Sequence, residues 1–155
     1  MRYANAWGRK KGLTVNEKCD ASDWSLTLGD LHEAWARKTL MDISRIDAML
    51  ILKNNPTTYT EAVAYAKGSC LSFHLENILD FLLSNEGEDN FAAAYAYMSL
   101  VGSTRGKASM SNELREKIKA GAKKIAERQL CYGADVDLYG DFMKMYSNTF
   151  EGGPA

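Results

Sequence analysis

The chain has only two prolines, three cysteines and two histidines in 155 residues, and each shortage excludes something. Scarce proline leaves helices free to run, because proline removes an amide donor and clashes with the preceding turn. Three cysteines (Cys19, Cys70 and Cys131) are an odd number, widely spaced, with no Cys-x-x-Cys. That pattern argues against a disulfide framework and for a reducing compartment. No apolar run approaches the about 20 residues needed to span a bilayer. The basic N-terminus, MRYANAWGRKKGL, is followed by no apolar core, so a signal peptide is not expected. The expectation is a cytoplasmic protein with no membrane partner.

Excess charge of one sign is also missing. The formal net charge is −1, so whole-molecule electrostatics select no partner. The charge is unevenly spread, however. Residues 1–18 carry five bases against one acid, residues 105–128 eight bases against three acids, and residues 76–90 five acids and no base.

Apolar content of 46% and charged content of 25% are those of a globular chain. No segment alternates with period two, and the apolar residues recur with helical spacing. The expected fold is all-α: a single-domain bundle of about five helices with an irregular N-terminal arm over residues 1–25. Helices are expected over 30–53, 59–84, 90–101, 112–131 and 135–149. In the first, Leu31, Trp35, Ile43, Ile46, Met49 and Leu50 share an arc, with Glu33, Arg37 and Ser44 opposite. Asn54-Asn55-Pro56 ends it, and Thr58 to Glu61 matches a capping box opening the second. That second helix carries a break at Gly68-Ser69 and folds back on the first as a hairpin.

Within KGSCLSFHLENIL, Cys70 and His74 stand four residues apart, the spacing that shares a helix face and serves metal ligands. Both fall in the apolar arc of Val63, Leu71, Ile78, Phe81 and Leu82, while Ser72, Glu76 and Asp80 point away. A zinc site requires about four ligands, and no second close pair exists among Cys19, His32 and Cys131. No metal and no cofactor are expected. A buried imidazole still requires a partner. Hairpin register puts Asp42 near the level of His74, so the two are expected as a core pair, Asp42 fixing the ring tautomer or its charge. Ser69 and Ser72 face away, so no nucleophile triad follows, and an enzyme centred on His74 and Asp42 is the weakest reading.

Three further motifs are read as structural. Gly102-Ser-Thr-Arg-Gly106-Lys107 has three residues between its glycines and follows a helix, which is not the phosphate-binding pattern. Asp135-Val-Asp137-Leu-Tyr139-Gly140-Asp141 imitates a calcium loop but carries Tyr139 at its fifth position and Tyr146 at its twelfth. Acids there suit a helix start. On the basic helix, Arg115, Lys119 and Lys123 form one row and Lys117, Lys124 and Arg128 another, with Glu113, Glu116 and Glu127 between them. Glu113 and Lys117 are spaced for a favourable pair.

The preferred functional reading is a non-enzymatic helical protein that binds a macromolecular partner, as a small inhibitor or an accessory subunit of a larger complex. Its acidic and basic segments suit electrostatic recognition, and Trp7, Trp24, Tyr146 and Phe150 are candidate anchors. The alternative is a nucleic-acid-binding subunit using Trp7, Arg9, Lys10 and Lys11, which combine a stacking surface with phosphate partners, and the row Arg115, Lys119 and Lys123.

Overall fold

The computed structural model describes residues 31–103 and 111–152. The expected N-terminal arm, with Trp7, Arg9, Lys10, Lys11, Cys19 and Trp24, lies outside the described residues, as does the Gly106-Lys107 half of the loop after residue 103. Every regular element among the described residues is helical, and there are eight α-helices rather than five.

The extra helices arise from local capping. The expected helix over 30–53 is two helices, α1 (Leu31–Leu40) and α2 (Arg45–Asn54). Ser44 is extended, with φ −71° and ψ 159°, and its hydroxyl accepts the Asp47 amide at 3.1 Å, so it starts a new helix. Once the register is broken, one projection no longer describes both halves. The inward residues are Glu33, Ala36 and Leu40 on α1 and Arg45, Ala48 and Leu52 on α2. Leu31, Trp35 and Leu50, expected inside, are exposed.

Helix α3 (Pro56–Val63) begins earlier than expected, with Pro56 in its first turn. Proline suits that position because its missing N–H has no intrahelical acceptor there. Thr58 therefore sits inside the helix, and the expected Thr58–Glu61 capping box does not start it. The chain turns over residues 64–67, just before the expected break, and α4 (Gly68–Leu82) starts on a glycine with φ +59°. A 3₁₀ turn (Asn85–Gly87) leads to α5 (Phe91–Ser103). Ser111 caps α6 (Asn112–Glu127) by accepting the Leu114 amide at 3.1 Å.

The last expected helix is also two. After a 3₁₀ turn (Gln129–Tyr132) come the single-turn α7 (Val136–Tyr139) and α8 (Phe142–Phe150), separated at Gly140, whose φ of +77° a helix does not tolerate. Asp135 and Asp141 cap them, accepting the amides of Asp137 and Met143. Gln129 secures the joint from both sides, donating to the Gly140 carbonyl at 2.7 Å and accepting the Phe142 amide at 2.9 Å.

Helix α4 is the centre of the bundle, packed against α2, α3, α5 and α6, while α8 lies across α5 and α6. It is therefore buried on almost every side, including Ser72, which was expected to point outward. Leu71, Leu75, Ile78, Leu79 and Leu82 meet Leu52, Tyr59, Tyr97, Ile125 and Phe142 in one continuous core. Each such side chain contributes about 1.5–3 kcal/mol by leaving water. The apolar residues of α6 recur at helical spacing and face inward, with Ile118, Ala122 and Ile125 buried and Leu114 partly so. Where α6 crosses α4 it presents Gly121, and a Cβ there would lie 2.3 Å from Leu79 Cδ1. No helix among the described residues is long and apolar enough to cross a membrane.

Candidate interaction surfaces and the polar core

His74 is fully buried, as its place in the apolar arc predicts, but its neighbours differ from those expected. Its Nε2 lies 3.2 Å from the carbonyl oxygen of Leu40, and its Nδ1 meets the hydroxyl of Tyr59. A carbonyl oxygen only accepts, so Nε2 carries the proton and Nδ1 accepts from Tyr59. Leu40 is the last residue of α1, where carbonyls lack an intrahelical donor, and the imidazole supplies one. Asp42, the expected partner, is exposed in the turn just beyond. Both long helices of the expected hairpin are broken in two, and a backbone carbonyl rather than the Asp42 carboxylate meets the ring. Burial pushes the His74 pKa down from 6.5 to about 4, against which the Leu40 hydrogen bond acts weakly, so the ring is neutral at pH 7. Phe73 and Tyr59 stand edge-on to the ring, with centroids at 5.1 and 5.4 Å. Burial likewise raises the Tyr59 hydroxyl above its usual range.

Cys70 is buried beside His74 in the same helix and is disulfide-bonded. It is not the reduced core thiol its spacing suggested, and the cysteine count no longer argues for a reducing compartment. Cys131 is a free, exposed thiol. Among the described residues no group of three or more His, Cys, Asp or Glu side chains is arranged to hold a metal ion.

The outward polar face expected on α4 is a charge cluster inside the bundle. Arg45 of α2, nearly fully buried, donates to Glu76 Oε1 at 3.1 Å and to Asp80 Oδ2. From the other side, Lys117 of α6 reaches Glu76 at 3.6 Å and Asp80 at 3.3 Å. Two carboxylates one turn apart on α4 thus tie it to both neighbouring helices. Its net contribution to stability is modest, because desolvating the charges offsets much of their attraction. Tyr97, fully buried on α5, has its hydroxyl pKa raised by burial and by the Asp80 charge.

These pairings change the meaning of the charged segments. Lys117 is engaged with Glu76 and Asp80 rather than left on the solvated face of its helix, and Arg128 pairs with Glu88 at 3.5 Å. The acidic and basic segments are therefore partly each other's partners. Arg115 and Lys123 remain exposed on α6, with Lys119 half-buried between them.

The candidate anchors at the C-terminus are not exposed. Tyr146 is buried in the core, and Phe150 packs on it with centroids at 5.2 Å. The exposed aromatic surface lies elsewhere. Phe91 and Tyr95, one turn apart on α5, both pack on Tyr139 of α7, at centroid distances of 5.3 and 5.6 Å. Phe91 and Tyr95 are 42% and 41% exposed, and Leu130 and Leu138 nearby in the chain are each 80% exposed. Phe91, Tyr95 and Met98 share one helical stripe by their spacing, but only Met98 turns inward. A comparison of the chain with protein-family models, with curated proteins and with solved structures finds no match.

Proposed function

We propose that this is a non-enzymatic helical protein that acts by binding a macromolecular partner, in the manner of a small inhibitor or an accessory subunit. One observation carries the reading: Phe91 and Tyr95, packed on the half-buried Tyr139, are both exposed, as are Val136 and Leu138 on the same short helix as Tyr139. Large apolar side chains gathered on one surface, rather than scattered singly, mark an interaction site. Aromatics are the side chains that contribute most when such a surface is covered. The buried, doubly hydrogen-bonded His74 supports a structural role for that residue rather than a chemical one.

The nucleic-acid reading draws on the exposed Arg115 and Lys123. It is weaker, because Lys117 and Arg128 on the same helix and at its end are already paired with carboxylates. The lack of a membrane partner remains part of the proposal, whereas the Cys70 disulfide removes the ground on which a cytoplasmic place of action was expected.

Affinity capture from the cell of origin, with and without nuclease and at low and high salt, tests the reading. A protein partner retained after nuclease treatment is expected. Retention of nucleic acid alone, or of nothing, contradicts it.

A further inference from the structure

The aromatic cluster is flanked in the chain by acid. The two segments that frame it, residues 86–90 and 135–141, contain Glu86, Glu88, Asp89, Asp135, Asp137 and Asp141 and not one base. They are brought together by the fold: the Asp89 amide donates to the Cys131 carbonyl at 3.1 Å, and Phe91 stacks on Tyr139. Two of the six carboxylates have cationic partners, Glu86 with Lys53 at 3.7 Å and Glu88 with Arg128 at 3.5 Å. Asp89, Asp135, Asp137 and Asp141 are exposed and have no cationic partner among the described residues. Asp135 and Asp141 accept backbone amides at helix starts, which holds their carboxylates in place without cancelling their charge. Asp89 sits in the left-handed region, with φ 63°, which aspartate tolerates better than most side chains.

From this juxtaposition we infer that the surface formed by Phe91, Tyr95 and Tyr139 docks a basic protein segment, one that sets an apolar side chain on the aromatic cluster and lysines or arginines against the acidic rim. The inference rests on the partner-binding reading above and narrows the partner's chemistry. An acidic partner or a nucleic acid would meet like charge from both flanking segments, which penalises the wrong partner and slows its approach. A basic segment is drawn in by the same field.

The free thiol of Cys131 lies at the edge of this surface, its carbonyl bonded to Asp89, and gives a native handle for the test. The full chain, unreduced, is labelled there with a benzophenone maleimide, irradiated in extract from the cell of origin, and the crosslinked peptides are sequenced, with Cys131→Ser as the blank. Peptides rich in Lys and Arg are expected, with a yield reduced at least tenfold by Phe91→Ser and by the pair Asp89→Asn and Asp137→Asn. Circular dichroism confirms that these exposed-site variants remain folded. Crosslinked peptides that are acidic or neutral, peptides from a second copy of this chain, or a yield indifferent to the Asp changes overturn the inference. If affinity capture retains a protein that never crosslinks through Cys131, the inference fails and the broader reading stands. If neither method retains any protein, the broader reading fails with it.

Discussion

The imidazole of His74 closes the open end of a helix that stops 34 residues earlier in the chain, its Nε2 donating to the carbonyl oxygen of Leu40 at 3.2 Å. The second hydrogen bond, from the Tyr59 hydroxyl to Nδ1, holds only while that nitrogen is unprotonated, because it is the acceptor. The unfolded chain takes a proton on this histidine below about pH 6.5, whereas the native protein resists until about pH 4. Between those values the unfolded state binds more protons, so stability falls as pH falls. Full descent through that window removes about 3 kcal/mol, at about 1.36 kcal/mol for each pH unit of the shift. Urea unfolding followed by circular dichroism at pH 7, 5.5 and 4 measures it. His74→Leu should lose that portion of the slope, while Asp42→Asn, at an exposed turn, should change stability by less than about 0.5 kcal/mol at any of these values.

Arg45 and Lys117 contact the same two carboxylates, but their removal should differ greatly. Arg45 is buried, and Arg45→Met leaves Glu76 and Asp80 desolvated with only a half-exposed lysine to balance them. A loss of about 3–5 kcal/mol is expected. Lys117 is 40% exposed, so Lys117→Met should cost less than about 1 kcal/mol and be weakened further by salt. Denaturant titrations of both variants at two salt concentrations separate these outcomes.

Gly87 is required by close approach, not by its backbone angles. A Cβ at that position would fall 2.4 Å from the Phe81 carbonyl oxygen and 2.6 Å from Leu82 Cα, at the point where α4 ends. Backbone atoms cannot step aside as a side-chain tip can, so Gly87→Ala should destabilise by about 1–3 kcal/mol. The shift is read as a lowered thermal midpoint with an unchanged native helix signal.

The thiols should divide cleanly. Iodoacetamide applied to the native, unreduced protein should modify Cys131 and spare Cys70, and reduction under denaturing conditions should open Cys70. Peptide mass mapping distinguishes the two. Modification of Cys70 before reduction would contradict the disulfide.

Much of the fold was legible because helical periodicity reports burial directly when a helix stays unbroken. Helix α6 shows this, with Ile118, Ala122 and Ile125 inward. So does the apolar side of α4, including Cys70 and His74. Misreadings follow where a helix breaks or where tertiary neighbours reassign a polar face. Ser44 followed three residues later by Asp47 is a cap signature that would have divided 30–53 in two, and missing it sent Trp35 to the wrong side. Glu76 and Asp80 were assigned to solvent because polar residues usually face it; no local pattern announces that Arg45 and Lys117 arrive from two other helices. The Leu40 carbonyl carries no sequence signature at all, being backbone. The stripe of Phe91 and Tyr95 was visible, but periodicity tells that residues share a face, not whether another helix covers it. Here α8 packs on α5 and meets it near Gly102, where Thr149 approaches, while Phe91 and Tyr95 at the other end stay exposed.

On the proposed function, the surface of Phe91, Tyr95 and Tyr139 is what meets the partner. The decisive measurement is quantitative affinity capture comparing the unaltered chain with the doubly substituted Phe91→Ser, Tyr95→Ser variant, because both positions are exposed and the core is left intact. The prediction is selective loss of one or a few proteins, at least tenfold, with the remaining background unchanged. Equal recovery of every captured protein by both forms would contradict it.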